Sequence, residues 1–253
     1  MRFEYKYFVP YPLLPKVRDL IFPYMELDVH VEKKETYQYT ARSIYFDSPN
    51  LYYYHDKMDG LGSRDKVRIR VYNTRSDDSD AFLEIKRKFM LPLSKYRAQV
   101  KYNELDKLFA KGDLQKFISE NSKDDSREQE NIRRFFYYIY KNNLKPAALV
   151  VFEREPYDCK LDESVRITFD KHLRSRPFPA LDEIYSEDGL VETFPGNFVM
   201  EVKFSFTFPF WMKPIISRFN LRTEAISKYT SSIEKHELLS NSSKYYVAAQ
   251  SHF

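Results

Sequence analysis

Two arginines alternate with aliphatic residues in the stretch K-V-R-I-R-V, which runs from Lys66 to Val71. If this stretch is a strand, successive side chains point to opposite faces, and the guanidinium groups of Arg68 and Arg70 share one face about 7 Å apart. Guanidinium groups bind phosphate oxygens through paired hydrogen bonds, so their spacing suits a chain of phosphates. A single charged strand face turned to water would be ordinary, and it would carry no function.

The same alternation recurs along most of the chain, which makes phosphate binding a stronger interpretation. The charged strand faces also hold carboxylates, namely Glu4, Glu84, Asp170 and Glu201. Two arrangements stay open at this point. The charged faces could be turned to water, or the sheet could curl so that they line a water-filled lumen that holds a polyanion. The cations collected in this way are Arg2, Lys6, Arg68, Arg70, Lys86, Lys88, Arg97, Arg154, Arg166 and Lys203.

Carboxylates among so many cations suggest a divalent metal, because phosphate alone needs only positive charge. Glu201, two residues before Lys203 on the same face, is the first candidate ligand, and Glu4 is the second. Oxygen ligands suit Mg²⁺ or Mn²⁺. The alternative is that Glu201 only neutralises a neighbouring arginine.

The rest of the chain predicts an α+β protein in one domain. We expect a single domain over residues 1–238 with a helical insertion at about 103–145, followed by a polar tail over 239–253. No apolar run approaches the roughly 20 residues that span a bilayer, and the single cysteine, Cys159, fits a cytoplasmic setting. Nucleic-acid binding is not expected, because the aromatic residues fall on the apolar strand faces.

Eight short segments, in this order and spacing, resemble the VTC domain, the polyphosphate polymerase module of the vacuolar transporter chaperone, in the CYTH or triphosphate tunnel superfamily. The segments are R-F-E-Y-K-Y at 2–7, S-I-Y-F-D-S at 43–48, K-V-R-I-R-V-Y at 66–72, E-I-K-R-K at 84–88, F-E-R-E-P-Y at 152–157, V-R-I-T-F-D at 165–170, V-M-E-V-K at 199–203 and S-K-Y at 227–229.

This resemblance implies an antiparallel eight-stranded β-tunnel with a basic lumen, helices packed outside and a C-terminal plug helix. It also implies transfer of the γ-phosphoryl group of ATP onto polyphosphate, with Mn²⁺ or Mg²⁺. Resemblance and strand pattern together assign three roles. Catalytic residues are Arg68, Arg70, Lys86 and Lys228; phosphate-binding residues are Lys6, Lys88, Arg97, Arg154, Arg166, Lys203 and Ser227; metal ligands are Glu201 and Glu4.

Two positions depart from the pattern of similar proteins. Tunnel triphosphatases begin with E-x-E-x-K, and Arg2 stands here in place of the first acid, which favours polymerase over hydrolase chemistry. Ala225 stands where fungal polymerases have a basic residue. The alternatives are a metal-dependent inorganic or nucleoside triphosphatase and a non-catalytic polyphosphate or nucleotide sensor. The expected partners are ATP and polyphosphate, with a separate membrane partner for any export.

Overall fold

The structure is a computed structural model that describes residues 3–32, 35–89, 93–110 and 126–237. It is an α+β protein built on an antiparallel sheet, which confirms the predicted fold class. The strands are β1 Phe3–Pro10, β2 Met25–Leu27, β3 Tyr39–Asp47, β4 Ser63–Tyr72, β5 Asp80–Phe89, β6 Leu93–Lys101, β7 Lys145–Cys159, β8 Arg166–Pro177, β9 Val191–Glu192 and β10 Asn197–Phe204. The helices are α1 Leu14–Ile21, α2 Tyr52–Met58, α3 Leu105–Phe109, α4 Ser126–Lys141, α5 Met212–Arg218 and α6 Lys228–Lys235.

Eight strands follow one another in the order β1-β10-β8-β7-β3-β4-β5-β6, while β2 pairs with β7 and β9 with β8. Within the described residues this path starts at β1 and ends at β6, and no pairing joins those two strands. The predicted closure into a barrel is therefore not found there. The outer strand β6 carries Lys95, Arg97 and Lys101.

The chain divides into two compact units. We call Met1–Thr40, Val151–Arg174 and Glu192–Ser227 the first unit; the second unit contains Ala41–Val150, Ser175–Val191 and Lys228–Phe253. The single domain over 1–238 stays a prediction, and the predicted tail over 239–253 lies outside the described residues. Helix α6 forms at the predicted place, whereas its role as a plug also stays a prediction.

The first unit buries the apolar faces of its strands against α1. Phe169 of β8 and Met200 of β10 share a buried cluster with Val17 and Ile21 of α1. These strand residues alternate with polar ones, so burying the apolar side leaves the charged side of β1, β8 and β10 on the opposite face.

In the second unit, helices cover the apolar face of β4, β5 and β6. Phe135 of α4 is fully buried, and its ring lies 6.0 Å from that of Phe46 and 6.5 Å from that of Phe109 in α3. Both helices fall within the predicted insertion, of which residues 111–125 lie outside the described part. No helix among the described residues is long and apolar enough to cross a bilayer.

The core of the second unit gives the first testable prediction. Replacing Phe135 by Ala is expected to lower the free energy of unfolding by about 3–5 kcal/mol, because it leaves a cavity between α4 and the sheet. The control is Tyr137→Ala on the exposed side of the same helix, which should cost well under about 1 kcal/mol. Urea unfolding of both variants checks this, and equal losses would contradict the packing described here.

Candidate functional site

One face of the second unit's sheet collects basic side chains from adjacent strands. The register pairs Tyr45 with Arg68, Arg68 with Glu84, and Glu84 with Arg97, so these residues of β3 to β6 lie on the same face. We call this surface the cationic face. Its basic residues are Arg64, Lys66, Arg68, Arg70, Lys86, Lys88, Lys95 and Arg97.

A buried carboxylate lies among these cations. Glu84 is 1% exposed, and Arg68 donates to its Oε2 from Nε at 2.8 Å and from Nη2 at 2.6 Å. Its Oε1 lies 2.9 Å from Lys95 Nζ and 3.6 Å from Arg97 Nε. Burial alone would raise the pKa of Glu84, but the charges of Arg68, Arg70 and Lys95 outweigh burial and lower that pKa well below its usual range.

Hydroxyl groups of β3 hold both arginines of β4. Arg68 Nη1 donates to the Tyr45 hydroxyl at 2.8 Å, and Arg70 Nε donates to Ser43 Oγ at 2.9 Å. Both arginines are buried. Burial and the charge of Arg68 lower the pKa of Arg70. Guanidinium groups that are held in place in this way can bind a phosphate without changing their orientation. Such preorganised donors give strong electrostatic stabilisation.

Lysines face one another directly across three strands. Lys66 pairs in register with Lys86, and Lys86 pairs with Lys95. Side chains directly opposite on neighbouring strands are about 5 Å apart at Cβ, and like charges in that arrangement are destabilising. The row therefore concentrates positive charge on this part of the cationic face. Next to this row, Arg97 packs on Phe82, with its guanidinium carbon 3.7 Å from the centre of the ring.

Helix α6 places Lys228, which is buried, at its first position. The next residue, Tyr229, stacks on Tyr45 with 5.3 Å between ring centres and donates to Asp47 Oδ2 at 2.5 Å. Burial raises the pKa of Asp47 to about 6, against the hydrogen bonds from Tyr229 and from nearby backbone N–H groups. The S-K-Y motif therefore anchors α6 to β3 through its tyrosine.

A second charged cluster lies in the first unit. Arg154 forms a bidentate pair with Asp170, at 2.6 and 2.7 Å, and its Nη2 lies 3.4 Å from Glu201 Oε2. Glu201 is buried. The Oε2 atom of Glu201 also lies 2.7 Å from Lys203 Nζ, and its Oε1 atom lies 3.6 Å from Lys6 Nζ.

The two predicted metal ligands, Glu4 and Glu201, lie close to the same two lysines. Glu4 lies 3.7 Å from Lys6 and 3.8 Å from Lys203, the same lysines that face Glu201. Glu201 thus lies within 4 Å of Arg154 and of both lysines, and neither interpretation of this carboxylate is decided by these contacts. Among the described residues, no three His, Cys, Asp or Glu side chains come together as a metal site. The carboxylate pair still fits Mg²⁺ or Mn²⁺ if phosphate oxygens supply further ligands, since Mg²⁺ often binds one or two carboxylates plus substrate phosphates.

The remaining predicted residues lie in different parts of the structure. Arg166 pairs with Asp28 and, at 2.7 Å, with Asp158, so carboxylates already engage its guanidinium. Ser227 is buried in the first unit. Arg2 lies outside the described residues. The structure therefore gathers Arg68, Arg70, Lys86, Lys88 and Arg97 on the cationic face, and Lys6, Arg154, Lys203, Glu4 and Glu201 in the first unit's cluster. The catalytic, phosphate-binding and metal roles all stay predictions.

Sequence reasoning missed Tyr45 and Tyr229 and gave Glu84 no role in the site. Tyr45 could have been found from its place in S-I-Y-F-D-S, because an alternating strand puts it on the same face as Ser43 and Asp47.

A further cleft of about 830 Å³ lies in the second unit, lined by Tyr53, Asp65, Arg87, Tyr96, Arg134 and Tyr138 among others. Arg87 comes directly after Lys86 on β5, so it is on the opposite face of the sheet.

Comparison with known proteins places the chain among homologues. A profile of the VTC domain matches residues 1–236. The chain is 28% identical over 146 residues to vacuolar transporter chaperone complex subunit 2 of Saccharomyces cerevisiae, covering 52% of this chain and 18% of that protein. It is 26% identical over 198 residues to vacuolar transporter chaperone complex subunit 4 of Trypanosoma brucei brucei, covering 67% of this chain and 25% of that protein. The chain thus spans a quarter or less of the length of these relatives.

Two solved structures show distant likeness. One is HpAC1 of Hippeastrum, for which a dominant triphosphatase activity is described, with a TM-score of 0.43, 12% identity and coverage of 90% of this chain and 93% of that one. The other is a Mimivirus capping enzyme triphosphatase, with a TM-score of 0.33, 10% identity and coverage of 86% of each chain.

The buried carboxylate gives the second prediction. Glu84→Gln is expected to lower the free energy of unfolding near pH 7 by about 3 kcal/mol, because the buried Arg68 loses its counter-charge. The folded-state pKa of Glu84 is lowered, so its contribution is complete above the usual glutamate pKa of about 4.3 and is lost as pH falls below that value. The difference between wild type and variant should therefore shrink in acid.

Urea unfolding at neutral and acidic pH checks this prediction. Glu130→Gln is the matched control, since exposed Glu130 pairs only with Arg134 of the same helix in the described structure, at 3.0 Å, and such pairs contribute about 0.5 kcal/mol or less. Similar losses in the two variants would mean that Glu84 does not organise the cationic face.

Proposed function

This chain belongs to the VTC domain family, and from that premise we propose that it is a metal-dependent ATP–polyphosphate phosphotransferase. In this proposal, the γ-phosphoryl group of ATP is transferred onto the end of a polyphosphate chain and ADP leaves. The name of each curated relative describes a subunit of a complex. The proposal also includes a separate membrane partner for any export of the polymer.

The row of facing lysines on the cationic face is the observation that supports this proposal most. Lys66, Lys86 and Lys95 lie on three adjacent strands in register, beside the fixed guanidinium groups of Arg68 and Arg70. Like charges that face one another in register repel, and a bound anion reduces that repulsion. A linear chain of phosphates, with charge on every unit, matches a row of cations better than a compact anion does.

Phosphoryl transfer needs little covalent help from a protein. The transition state spreads charge over the equatorial oxygens, and catalysis comes from positioning and electrostatic stabilisation. In the proposal, Arg68, Arg70 and Lys86 hold the phosphoryl group that moves, and Lys228 adds a donor from α6. Lys88 and Arg97 bind neighbouring phosphates of the chain.

The first unit's cluster has its own proposed roles. In the proposal, Lys6, Arg154 and Lys203 of this cluster bind phosphate oxygens, as do Arg166 and Ser227 elsewhere in the first unit. Glu201 and Glu4 are the residues that would hold Mn²⁺ or Mg²⁺. When bound, the metal would offset phosphate charge. Both lysines lie within 4 Å of both acids, so a phosphate bound there would compete with the carboxylates for the two ammonium groups.

A non-catalytic polyphosphate binder is the second candidate function. It is favoured by the ion pairs of Glu201, since Arg154, Lys6 and Lys203 already surround that carboxylate. A binder would need the cations and no metal.

Adjacent residues of β5 provide a matched test of the proposed activity. Lys86→Ala is expected to lower the rate of polymer formation from ATP and Mn²⁺ on the order of 10²-fold, because it removes a charge aimed at the moving phosphoryl group. Arg87→Ala, one residue along on the opposite face, should change the rate by less than about twofold. Arg87 lies 3.9 Å from Asp65 on that face, away from the cationic face.

Polymer length and ADP are measured together, with and without a chelator. Polymer that disappears on chelation supports the phosphotransferase. ADP and phosphate without polymer would identify a triphosphatase instead. Tight, salt-sensitive polyphosphate binding without turnover would identify the binder, and equal activity of both variants would remove the cationic face from the reaction.

A further inference from the structure

Arg68 is held by two acceptors on opposite sides. Arg68 donates hydrogen bonds from Nε and Nη2 to Glu84 of β5, and from Nη1 to the hydroxyl of Tyr45 on β3. A guanidinium group has five N–H donors in a rigid fork. Among the described residues, these three bonds leave two N–H groups of Arg68 that can donate to a phosphate oxygen. The same three bonds hold the guanidinium group in a fixed orientation.

Tyr45 is itself tightly placed. It is buried, its ring stacks on Tyr229 of α6, and its neighbour on the same face of β3 is Asp47. The charged groups that face it from β4 are Arg68, Arg70 and Lys66, and Glu84 of β5 lies on the far side of Arg68. The phenol therefore lies between an aromatic ring and a set of cations.

We propose that Tyr45 is a positioning residue for Arg68 whose ionisation switches the cationic face from strong to weak phosphate binding. The inference depends on the proposed function, because it specifies how that same face binds phosphate. A neutral phenol accepts the Arg68 hydrogen bond and leaves the charge of the face unchanged. A phenolate cancels one positive charge next to the bound phosphate and repels it.

The surroundings of Tyr45 put this switch within reach of ordinary pH. Burial alone would raise the pKa of Tyr45, but the charges of Arg68, Arg70 and Lys66 outweigh burial and lower that pKa to about 8. A bound polyanion disfavours the phenolate, so binding must raise this pKa in return. Phosphate affinity should therefore be full below about pH 8 and fall up to about tenfold for each pH unit above it.

The test is equilibrium binding of tripolyphosphate near pH 7 and near pH 9 to wild type, Tyr45→Phe and Tyr52→Phe. The control residue, Tyr52, is 61% exposed on α2. Ionisation of tripolyphosphate itself acts equally on all three proteins, so the measured quantity is the ratio of dissociation constants. The wild-type to Tyr45→Phe ratio should rise about tenfold between the two pH values, while the wild-type to Tyr52→Phe ratio stays constant.

A second measurement uses the wild type alone and remains valid if Tyr45→Phe does not fold. Adding tripolyphosphate near pH 8 should reduce the near-ultraviolet absorbance of phenolate by about half the amount of one tyrosine, because about half of Tyr45 is ionised there. A ratio that does not change with pH, or an absorbance that does not change on saturation, overturns the role of Tyr45. Absence of tripolyphosphate binding at both pH values would instead overturn the proposed function, and the inference with it.

Discussion

Repulsion between like charges is the constraint on which the rest of this structure depends. Arg68, Arg70 and three facing lysines crowd one side of the second unit's sheet, and the buried carboxylate of Glu84 offsets part of that repulsion. An ionised glutamate is tolerated there only because the surrounding cations lower its pKa despite burial. The face thus keeps a net positive charge, while its central arginine is held at a defined position.

Strand alternation made the cationic face predictable. Once Lys66 to Val71 is interpreted as a strand, Arg68 and Arg70 must share a face, and the same reasoning places Lys86 with Lys88. The fold class followed from the repeated alternation and from the resemblance to the VTC domain. These are local properties of the chain, which is why one sequence was enough to find them.

Pairing between distant residues could not be predicted in the same way. The contact between Glu84 and Arg68 depends on the register of two strands, and that of Tyr45 with Tyr229 depends on where α6 lies; no periodicity encodes either. Arg166 shows the same limit, since its strand position matched the phosphate pattern while Asp28 and Asp158 engage its side chain. Closure of the sheet was expected from the resemblance, and the described strands end at β1 and β6 instead.

A crystal structure of the protein with tripolyphosphate and Mn²⁺ tests the central claim most directly. The account predicts phosphate density along the cationic face, within hydrogen-bond distance of Arg68, Arg70 and Lys86. Density confined to the cleft on the opposite side of the sheet, beside Arg87 and Arg134, would contradict it. In that case the row of facing lysines would have some other cause.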